Sequence, residues 1–341
     1  MYLEHFGFGR HPFRMAPEED FLYMSQQHSR AFIFMDSAIW SPEGFVVISG
    51  EIGSGKTTLL KKMISEIKAK VKAKVKAEVK LFHIAYSNLK GDDLFQTILQ
   101  QAGIPWAEAN RVSLLCAIND HLRQLADQGI PVLLAIDEAQ NLRRENLEDI
   151  RLLAGMESAH GPILRVILLG QPELKHHIAE LPQLSQRVKL FFHLEGLPLD
   201  DTEQYIHHRL SVAGIQNREL FPSDIIKLVH DYSGGIPRLI NKISDGLLLC
   251  AFADDRAYLL GSDIAEIQHE LLLSTDHISQ PQNAQERAKE TTRQTLSPAL
   301  ERIAAALESI DLKLAALAAN VDEPKVRLFR DARNRLQDGK V

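Results

Sequence analysis

The sequence is poor in cysteine and has no long apolar segment, and each shortage excludes a class of protein. Two of its 341 residues are cysteine. Both, Cys116 and Cys250, lie in apolar helical patterns, so we expect buried, reduced thiols and no disulfide framework. The longest apolar runs, at 132–136 and 247–253, are much shorter than the roughly 20 residues that cross a bilayer, and residues 1–6 lack the features of a secretory leader. We therefore expect a cytoplasmic protein with no integral membrane segment.

The sequence also lacks a positive net charge and closely spaced histidines. Its formal net charge is −6 at pH 7, which argues against overall attraction to nucleic acid or anionic lipid but leaves room for a local basic patch. No two of its 14 histidines are three or four residues apart, so no histidine metal cluster is predicted. With 45% hydrophobic and 25% charged residues, the composition is that of a globular protein, and the length predicts more than one domain.

The clearest motif is a glycine-rich turn between a predicted strand at 45–48 and a predicted helix at 56–68. Gly50, followed after four residues by Gly55-Lys56-Thr57, matches the P-loop pattern. A surface loop that happens to carry glycines and a lysine is the alternative, and the flanking strand and helix make it the weaker one. The predicted nucleotide-binding residues are Gly50, Glu51, Ile52, Gly53, Ser54, Gly55, Lys56, Thr57 and Thr58.

Phosphate binding requires these residue types in this order. The glycines allow positive φ and bring backbone N–H groups close to phosphate oxygens, where the start of the helix adds a favourable dipole. Lys56 is expected to reach the β- and γ-phosphates, and the hydroxyl of Thr57 is expected to ligate Mg²⁺. The sequence therefore predicts a site for a nucleoside triphosphate and Mg²⁺.

A second motif is a pair of carboxylates that follows the apolar run at 131–136. A continuous apolar run is typical of a strand buried on both faces of a parallel sheet, and ligands bind at the carboxyl ends of such strands. We expect Asp137 to hold Mg²⁺ and Glu138 to act as the general base toward water. An acidic helix start is the alternative. The upstream P-loop favours a phosphoryl-transfer site, because the two motifs then belong together.

Two further polar side chains stand next to predicted strands. Gln171 ends the strand predicted at 163–171 and is placed to face a γ-phosphate or the attacking water, although an amide that caps the following turn is an equal alternative. Arg187 precedes a fifth strand predicted at 188–194. It is placed to reach a nucleotide bound by a neighbouring subunit, with a structural ion pair at the rim as the competing interpretation.

From residue 198 onward the apolar pattern is helical, with helices predicted at 201–213, 222–233, 237–253 and 261–273. This pattern predicts a small helical domain at 198–273. Arg238 lies in the first turn of the third of these helices, directly after a glycine-rich turn. An arginine opposes the helix dipole at that position, so a bound anion explains it better than stability does.

The C-terminal region has a different composition. Residues 274–297 are rich in Gln, Ser, Thr and charge, which is typical of a flexible linker. Apolar residues then recur at spacings of three and four from Leu300 to Val321, which predicts an amphipathic or coiled-coil helix at 298–322. That helix would self-associate, bind a partner or dock on its own domain. A charged, frayed tail is expected at 323–341.

Together these motifs resemble the AAA+ ATPases and, more narrowly, the ExeA family. The matching stretches are 1–7, 12–13, 50–58, 136–142, 170–174 and 233–241. The resemblance extends over about residues 1–270. It implies an α/β fold, with a P-loop AAA+ three-layer αβα domain and parallel sheet at 45–197, a lead-in segment at 1–44 and a small all-α lid at 198–273. A lysine-rich repeat at 68–80 and the C-terminal heptad helix fall outside the family pattern.

The family resemblance also implies roles for the site residues. Lys56 and Thr57 correspond to Walker A, and Asp137 and Glu138 correspond to Walker B. In the same way Gln171 becomes a sensor 1 candidate, Arg187 the arginine finger and Arg238 a nucleotide-binding sensor 2. The implied activity is hydrolysis of ATP with Mg²⁺ by a homo-oligomer, whether a ring or a nucleotide-dependent assembly.

The implied process is assembly of a secretion or MSHA-like type IV pilus machine. The protein would be peripheral to the inner membrane and would contact membrane components of that machine through the 298–322 helix. Longer members of the family carry a transmembrane segment and a peptidoglycan-binding domain, and from this sequence we expect neither.

Two other functions stay open. Similar AAA+ proteins regulate transposition as ATP-dependent filaments on DNA, and a lysine-rich repeat at 68–80 would suit phosphate contacts. The repeat fits either a helix or a strand, and a solvated charged face is its ordinary explanation, so we give nucleic acid less weight. The third possibility is a scaffold in which nucleotide binding changes the oligomeric state and hydrolysis is slow.

Overall fold

The computed structural model describes residues 2–267 except 17, 42–43, 73–77, 86–88, 107–109, 159–160 and 265–266. Its helices are α1 (Tyr2–Phe6), α2 (Gln26–Trp40), α3 (Lys56–Lys72), α4 (Asp93–Ala102), α5 (Arg111–Asp127), α6 (Arg144–Ala154), α7 (Glu173–Ala179), α8 (Pro182–Ser185), α9 (Leu199–Val212), α10 (Ser223–Ser233) and α11 (Pro237–Ala253). Its strands are β1 (Phe45–Gly50), β2 (Lys80–Ile84), β3 (Val132–Ile136), β4 (Glu157–Ser158), β5 (Gly161–Pro162), β6 (Leu164–Gly170) and β7 (Leu190–Leu194). Short 3₁₀ turns lie at Glu19–Phe21, Ala139–Asn141 and Arg218–Leu220.

Five of the strands form one parallel sheet in the order β2-β3-β6-β1-β7. Every residue of β1 and β3 is buried, as a continuous apolar run predicts for a strand that is covered on both faces. The short strands β4 and β5 form a separate antiparallel pair. Because β6 lies between β1 and β3, the carboxyl ends of these three strands are neighbours. The predicted parallel sheet is confirmed.

Helices cover both faces of the sheet. Successive side chains of a strand point to opposite faces, and the strands follow this rule: Val47 and Leu134 pack with α4 to α8, whereas Val46 and Leu133 pack with α2 and α3. The predicted three-layer αβα arrangement is therefore confirmed.

A third apolar cluster lies among α9, α10 and α11 and includes the start of the chain. Tyr2, Phe8 and Phe13 are buried in it, and the hydroxyl of Tyr2 donates to Oδ1 of Asp245 in α11 at 2.6 Å. The first residues of the chain thus pack on the helical part. The helices predicted at 201–213, 222–233 and 237–253 are present as α9, α10 and α11.

The expectation that both cysteines are buried is wrong for Cys116. That residue is exposed, and Cys250 has intermediate burial. On α5 the buried face carries Leu114, Ile118 and Leu122, at a spacing of four residues. Cys116 lies two residues from the first two of these, which places it on the opposite side of a helix with 3.6 residues per turn.

Several predictions fall outside the described residues. The linker at 274–297, the heptad helix at 298–322 and the tail at 323–341 all do, and the helix predicted at 261–273 is described only in part. The lysine-rich repeat begins within α3 and ends at the first residue of β2, and its middle is not described. Across the described stretches, no helix combines the length and apolarity that a membrane crossing requires.

Candidate nucleotide-binding site

The loop between β1 and α3 turns through two glycines with positive φ. Gly53 has a φ of 86° and Gly55 a φ of 98°, which residues with a Cβ rarely adopt. A Cβ on Gly53 would lie 2.2 Å from the Cβ of Arg238, so close packing also requires glycine there. The glycine turn predicted from the sequence is present, and six of its nine residues line a cavity. They are Ile52, Gly53, Gly55, Lys56, Thr57 and Thr58.

Lys56 is the first residue of α3 and is only 6% exposed. Its Nζ donates to the carbonyl oxygens of Gly50 at 2.6 Å and Glu51 at 2.8 Å, and it lies 3.4 Å from Oγ of Ser54. Burial lowers the pKa of Lys56, and the carboxylate of Glu138 opposes this shift. The ammonium group thus bonds within its own loop at the edge of the cavity, where a phosphate anion would offer it stronger, charge-assisted hydrogen bonds.

Thr57 and Asp137, the two predicted Mg²⁺ ligands, are in direct contact. The hydroxyl Oγ1 of Thr57 donates to Oδ2 of Asp137 at 2.7 Å. The backbone N–H of Asp137 donates to the carbonyl of Ile84 at 2.9 Å, and its Oδ1 accepts the N–H of Glu138 at 2.9 Å. The carboxylate is 4% exposed, so it is held rigidly at the end of β3.

The pair fits a magnesium ion. Hydroxyl and carboxylate oxygens are donors that Mg²⁺ accepts, and this ion is often bound by one or two protein groups together with substrate phosphates. Among the described residues, no group of three or more His, Cys, Asp or Glu side chains could hold a metal by itself. In this site Thr57 and Asp137 would hold Mg²⁺, which would neutralise charge on the phosphates.

Glu138 and Gln171 are linked through Gln140. Glu138 has a left-handed backbone with a φ of 51°, uncommon for a residue other than glycine, and its Oε2 accepts Nε2–H of Gln140 at 2.6 Å. Oε1 of Gln140 accepts the backbone N–H of Gln171 at 3.0 Å. Gln140 therefore joins the end of β3 to the end of β6. This role of Gln140 was not predicted from the sequence, because a short turn has no periodic pattern that marks a side chain as part of a site.

His28, in the first turn of α2, is a second residue whose role was not predicted from the sequence. It is 3% exposed, and its Nε2 lies 3.0 Å from the carbonyl oxygen of Ser54 in the P-loop. Its Nδ1 lies 2.7 Å from Oγ of Ser25, the residue that caps α2. Burial lowers the pKa of His28, while the hydrogen bond to Ser54 and the charge of Asp201 raise it. The cap at Ser25 marks the start of a helix in the sequence, but nothing there links His28 to the P-loop.

The cavity has a volume of about 330 Å³ and lies between the sheet and the helical part. Its volume is within the range of small-molecule sites. On the sheet side Lys56, Thr57, Glu138 and Gln171 line it. On the helical side Arg238 lines it, and the backbone N–H of Arg238 donates to the carbonyl of Gly53 at 3.2 Å. The structure thus brings together the predicted residues from the P-loop, the strand ends and α11.

The third wall of the cavity is formed by residues of the N-terminal segment, which a buried arginine contacts. They are Arg14, Met15, Ala16, Glu18, Phe21, Leu22 and Tyr23. Arg209 of α9 is 5% exposed. Its Nε donates to the carbonyl of Pro12 at 2.6 Å and an Nη atom donates to that of Arg14 at 3.0 Å, and its guanidinium carbon lies 4.7 Å from the ring centre of Phe21. Arg209 lies on the same face of α9 as the buried residues Tyr205 and Ile206, so its burial could be expected from the spacing. Its hydrogen-bond partners could not be predicted from the sequence.

Arg187 lies apart from these residues. It is exposed, and one of its Nη atoms lies 3.4 Å from the carbonyl of Ala154 at the end of α6. It is not among the described residues that line the cavity. The structure therefore gives Arg187 no contact with the site of its own chain.

Comparison with known proteins agrees with this geometry. A family model for the AAA domain matches residues 39–178. The chain is 33% identical over 274 residues to general secretion pathway protein A of Aeromonas hydrophila, a match that covers 80% of this chain and 48% of that protein. The chain thus spans about half the length of this relative.

Solved structures with low sequence identity share the fold. Cdc6p of Pyrobaculum aerophilum aligns with a TM-score of 0.57 and 17% identity, over 79% of this chain and 70% of that one. The ORC2 protein of Aeropyrum pernix, in ADPNP-ADP complexes, aligns with a TM-score of 0.56 and 18% identity, over 75% of this chain and 69% of that one. With its P-loop, its carboxylate pair and these relatives, the chain belongs to the AAA+ ATPases, in the family of general secretion pathway protein A.

Proposed function

We propose that this protein binds ATP with Mg²⁺ and hydrolyses it to drive or regulate the assembly of a secretion or type IV pilus machine. The observation that carries the proposal is the 2.7 Å contact between Thr57 and Asp137, with Glu138 lining the same cavity as Lys56. The site then contains two ligands for a metal ion, a cation that binds phosphates and a carboxylate that can accept a proton from water. Phosphoryl transfer requires these groups in one place.

The proposed reaction is attack of water on the γ-phosphorus of ATP, which forms a bond to the water oxygen, breaks the bond to the oxygen that bridges to the β-phosphate, and releases ADP and inorganic phosphate. Glu138 accepts the proton of the attacking water, and its bond to Gln140 fixes the direction of the carboxylate. Lys56 and Arg238 bind phosphate oxygens and stabilise the negative charge. Gln171 orients the water or the γ-phosphate from the end of β6.

Hydrolysis is proposed to need a second copy of the chain. Arg187 is exposed and away from its own cavity, so it would serve as the arginine finger for the site of a neighbouring subunit, where it neutralises charge in the transition state. This arrangement makes a homo-oligomer the active form.

The link to secretion rests on the 33% identity to general secretion pathway protein A. We propose a cytoplasmic protein, peripheral to the inner membrane, that contacts membrane components of its machine through the helix predicted at 298–322. Because the match covers 48% of that relative, the partners are to be tested on this chain directly.

The test is steady-state hydrolysis of MgATP by the purified full chain and by Glu138→Gln. Loss of a general base lowers turnover by about 10²- to 10⁴-fold, while MgATP affinity is expected to stay within about threefold, since Glu138→Gln keeps the shape of the side chain. Equal turnover in both proteins would exclude Glu138 as the base, and a wild-type chain that binds no MgATP would overturn the proposal.

Duplex DNA in the same assay addresses transposition regulation. Stimulation by DNA that disappears steeply as salt rises would indicate phosphate contacts, and it would replace secretion with a DNA-bound function. We expect turnover that DNA leaves unchanged.

A further inference from the structure

We propose that His28 is a positioning residue of the nucleotide site, which sets the direction of the backbone N–H of Gly55 toward the phosphates. This inference rests on the proposed function, because it assigns a part of nucleotide binding to a side chain outside the P-loop. His28 belongs to α2, and the group it contacts is a peptide of the loop after β1.

The first step is the protonation state of the imidazole. The carbonyl oxygen of Ser54 can only accept a hydrogen bond, so Nε2, at 3.0 Å from it, carries the proton. Nδ1 of the neutral ring then accepts the hydroxyl proton of Ser25 at 2.7 Å. Oγ of Ser25 also accepts the backbone N–H of His28 at 3.2 Å. Both ring nitrogens are therefore committed, and the ring has one orientation.

The second step follows from the geometry of a trans peptide. The carbonyl of Ser54 and the N–H of Gly55 belong to the same planar unit and point in opposite directions. When Nε2 of His28 holds the carbonyl on the α2 side, the N–H of Gly55 is turned away from α2. Gly55 lines the cavity, and P-loop N–H groups are the donors that hold phosphates.

The third step is steric. A Cβ on Gly55 would lie 2.8 Å from Nε2 of His28, so the imidazole is packed directly against the glycine. With a φ of 98°, Gly55 is a flexible residue whose peptide has alternative orientations. The hydrogen bond from His28 selects one of them before any nucleotide arrives, and such preorganisation improves affinity by reducing the cost of ordering on binding.

The carbonyl that precedes that of Ser54 in the loop also accepts a hydrogen bond from a neighbouring helix. The carbonyl of Gly53 accepts the backbone N–H of Arg238 at 3.2 Å. Two successive carbonyls of the loop are thus held from outside, one by α11 and one by α2. The contact from α11 uses the backbone and would survive any side-chain change, whereas the contact from α2 depends on the imidazole of His28.

A matched pair of variants tests the inference. In His28→Gln the side-chain amide reaches the place of Nε2 and still donates to Ser54, whereas in His28→Asn the shorter amide reaches only the place of Nδ1. Both variants remove the aromatic ring. Affinity for MgADP and for AMP is measured by calorimetry on the full chain, together with KM and kcat for MgATP.

We expect His28→Gln to bind MgADP within about threefold of the wild type, and His28→Asn to bind it about tenfold more weakly, as the loss of one hydrogen bond implies. The ratio of ADP to AMP affinity is expected to fall in His28→Asn alone, with a raised KM and a kcat close to that of the wild type. Damage to the cavity as a whole would weaken both nucleotides in both variants.

Ser25→Ala is the second control, because it removes the partner of Nδ1 and leaves the donor to Ser54 in place. We expect it to lower stability through loss of the helix cap and to keep the ADP to AMP ratio. If His28→Gln and His28→Asn give the same ratio, the inference is overturned while the proposed function stands. If the wild-type chain binds no MgADP, the proposed function fails first.

Discussion

Nε2 of Gln140 donates to Oε2 of Glu138 at 2.6 Å, and the same amide accepts the backbone N–H of Gln171 through its oxygen. One side chain thus holds the carboxylate at the end of β3 and the loop at the end of β6 in a fixed relation. Glu138 also has an unusual left-handed backbone, and the contact with Gln140 helps to fix the direction of its side chain.

We expect Gln140→Leu to lower kcat about tenfold, because a misdirected base loses part of the 10²- to 10⁴-fold contribution of general base catalysis. Leucine has a similar size and cannot donate to Glu138. MgATP affinity is expected to change less than about twofold, since Gln140 makes no contact that P-loop binding needs. Steady-state kinetics and calorimetry give both quantities.

The double variant of Gln140→Leu with Glu138→Gln is the control. If Gln140 acts through Glu138, the two effects are not additive, and the double variant is about as slow as Glu138→Gln alone. Full additivity in a double-mutant cycle would mean that Gln140 acts elsewhere.

Arg187 leads to a prediction about assembly. Because it is exposed and away from its own cavity, we expect Arg187→Ala to keep MgATP affinity and to lose roughly 10³-fold in turnover, as removal of an arginine finger does. Lys56→Ala is expected to lose turnover because it damages its own site.

Mixing these two inactive variants provides the decisive measurement. A mixed oligomer contains intact sites of Arg187→Ala subunits next to intact arginines of Lys56→Ala subunits, so part of the activity should return. If no ratio of the two restores hydrolysis, Arg187 does not act between subunits.

The sheet could be predicted because its strands carry their own evidence. β1 begins with an apolar run, β3 is apolar throughout, and β6 is apolar apart from Arg165. The structure finds these strands within about two residues of the predicted limits, which is the usual precision of such boundaries. Thr57 and Asp137 were predicted together because a phosphate site needs both chemistries and because strand ends in parallel sheets are neighbours.

His28, Gln140 and Arg209 could not be predicted as parts of the site. Each acts through a hydrogen bond to a backbone group or side chain that is distant in sequence or lies in an irregular turn. Such contacts depend on how α2, the 3₁₀ turn and the N-terminal segment pack, and no local pattern records that packing. The exposure of Cys116 was not predicted for a related reason. An apolar pattern shows that a segment is helical, but the residues of its buried face have to be identified before a particular side chain can be placed on the buried or the exposed side.

The turn before α11 offers a matched pair of glycines. Gly234 and Gly235 have φ of 58° and 72°, so alanine is strained at both. A Cβ on Gly234 would meet nothing within 4 Å, whereas a Cβ on Gly235 would lie 2.1 Å from the carbonyl oxygen of Leu197. We expect Gly234→Ala to cost about 1 kcal/mol of unfolding free energy and Gly235→Ala about 3 kcal/mol or more.

Urea denaturation measures both free energies. Since Gly235 lies three residues before Arg238, in the turn that leads into α11, Gly235→Ala is also expected to weaken MgATP binding, and Gly234→Ala to leave it nearly unchanged. An equal loss of unfolding free energy in the two variants would show that the backbone of the turn shifts and so relieves the clash with Leu197.

Arg209 is expected to be important for stability even before nucleotide binds. Arg209→Leu keeps much of the apolar volume but leaves the carbonyls of Pro12, in a buried contact, and of Arg14, in a partly buried contact, without their donor. A buried unsatisfied polar group costs about 1–3 kcal/mol. We expect a loss of about 3 kcal/mol and faster proteolysis within residues 12–23. Arg209→Lys keeps the charge and supplies fewer donors in the required directions, so an intermediate loss is expected. A variant as stable as the wild type would show that Phe21 and its neighbours hold the segment without the arginine.

Acid is expected to destabilise the protein through three histidines that lose contact with solvent on folding. Burial lowers the pKa of His28, and also those of His83 and His121. Below an ordinary pKa of 6.5 the unfolded chain therefore binds more protons than the folded chain, and the free energy of unfolding falls as the pH falls. Above 6.5 these groups are neutral in both states and contribute no slope.

The contribution of His28 can be separated with His28→Gln, which cannot titrate. We expect the fall in unfolding free energy between about pH 7 and about pH 5 to be smaller in this variant than in the wild type, because one group with a lowered pKa has been removed. Urea denaturation at several pH values within this window gives the comparison. An identical fall in both proteins would mean that His28 accepts a proton as easily in the folded state as in the unfolded state, which its burial argues against.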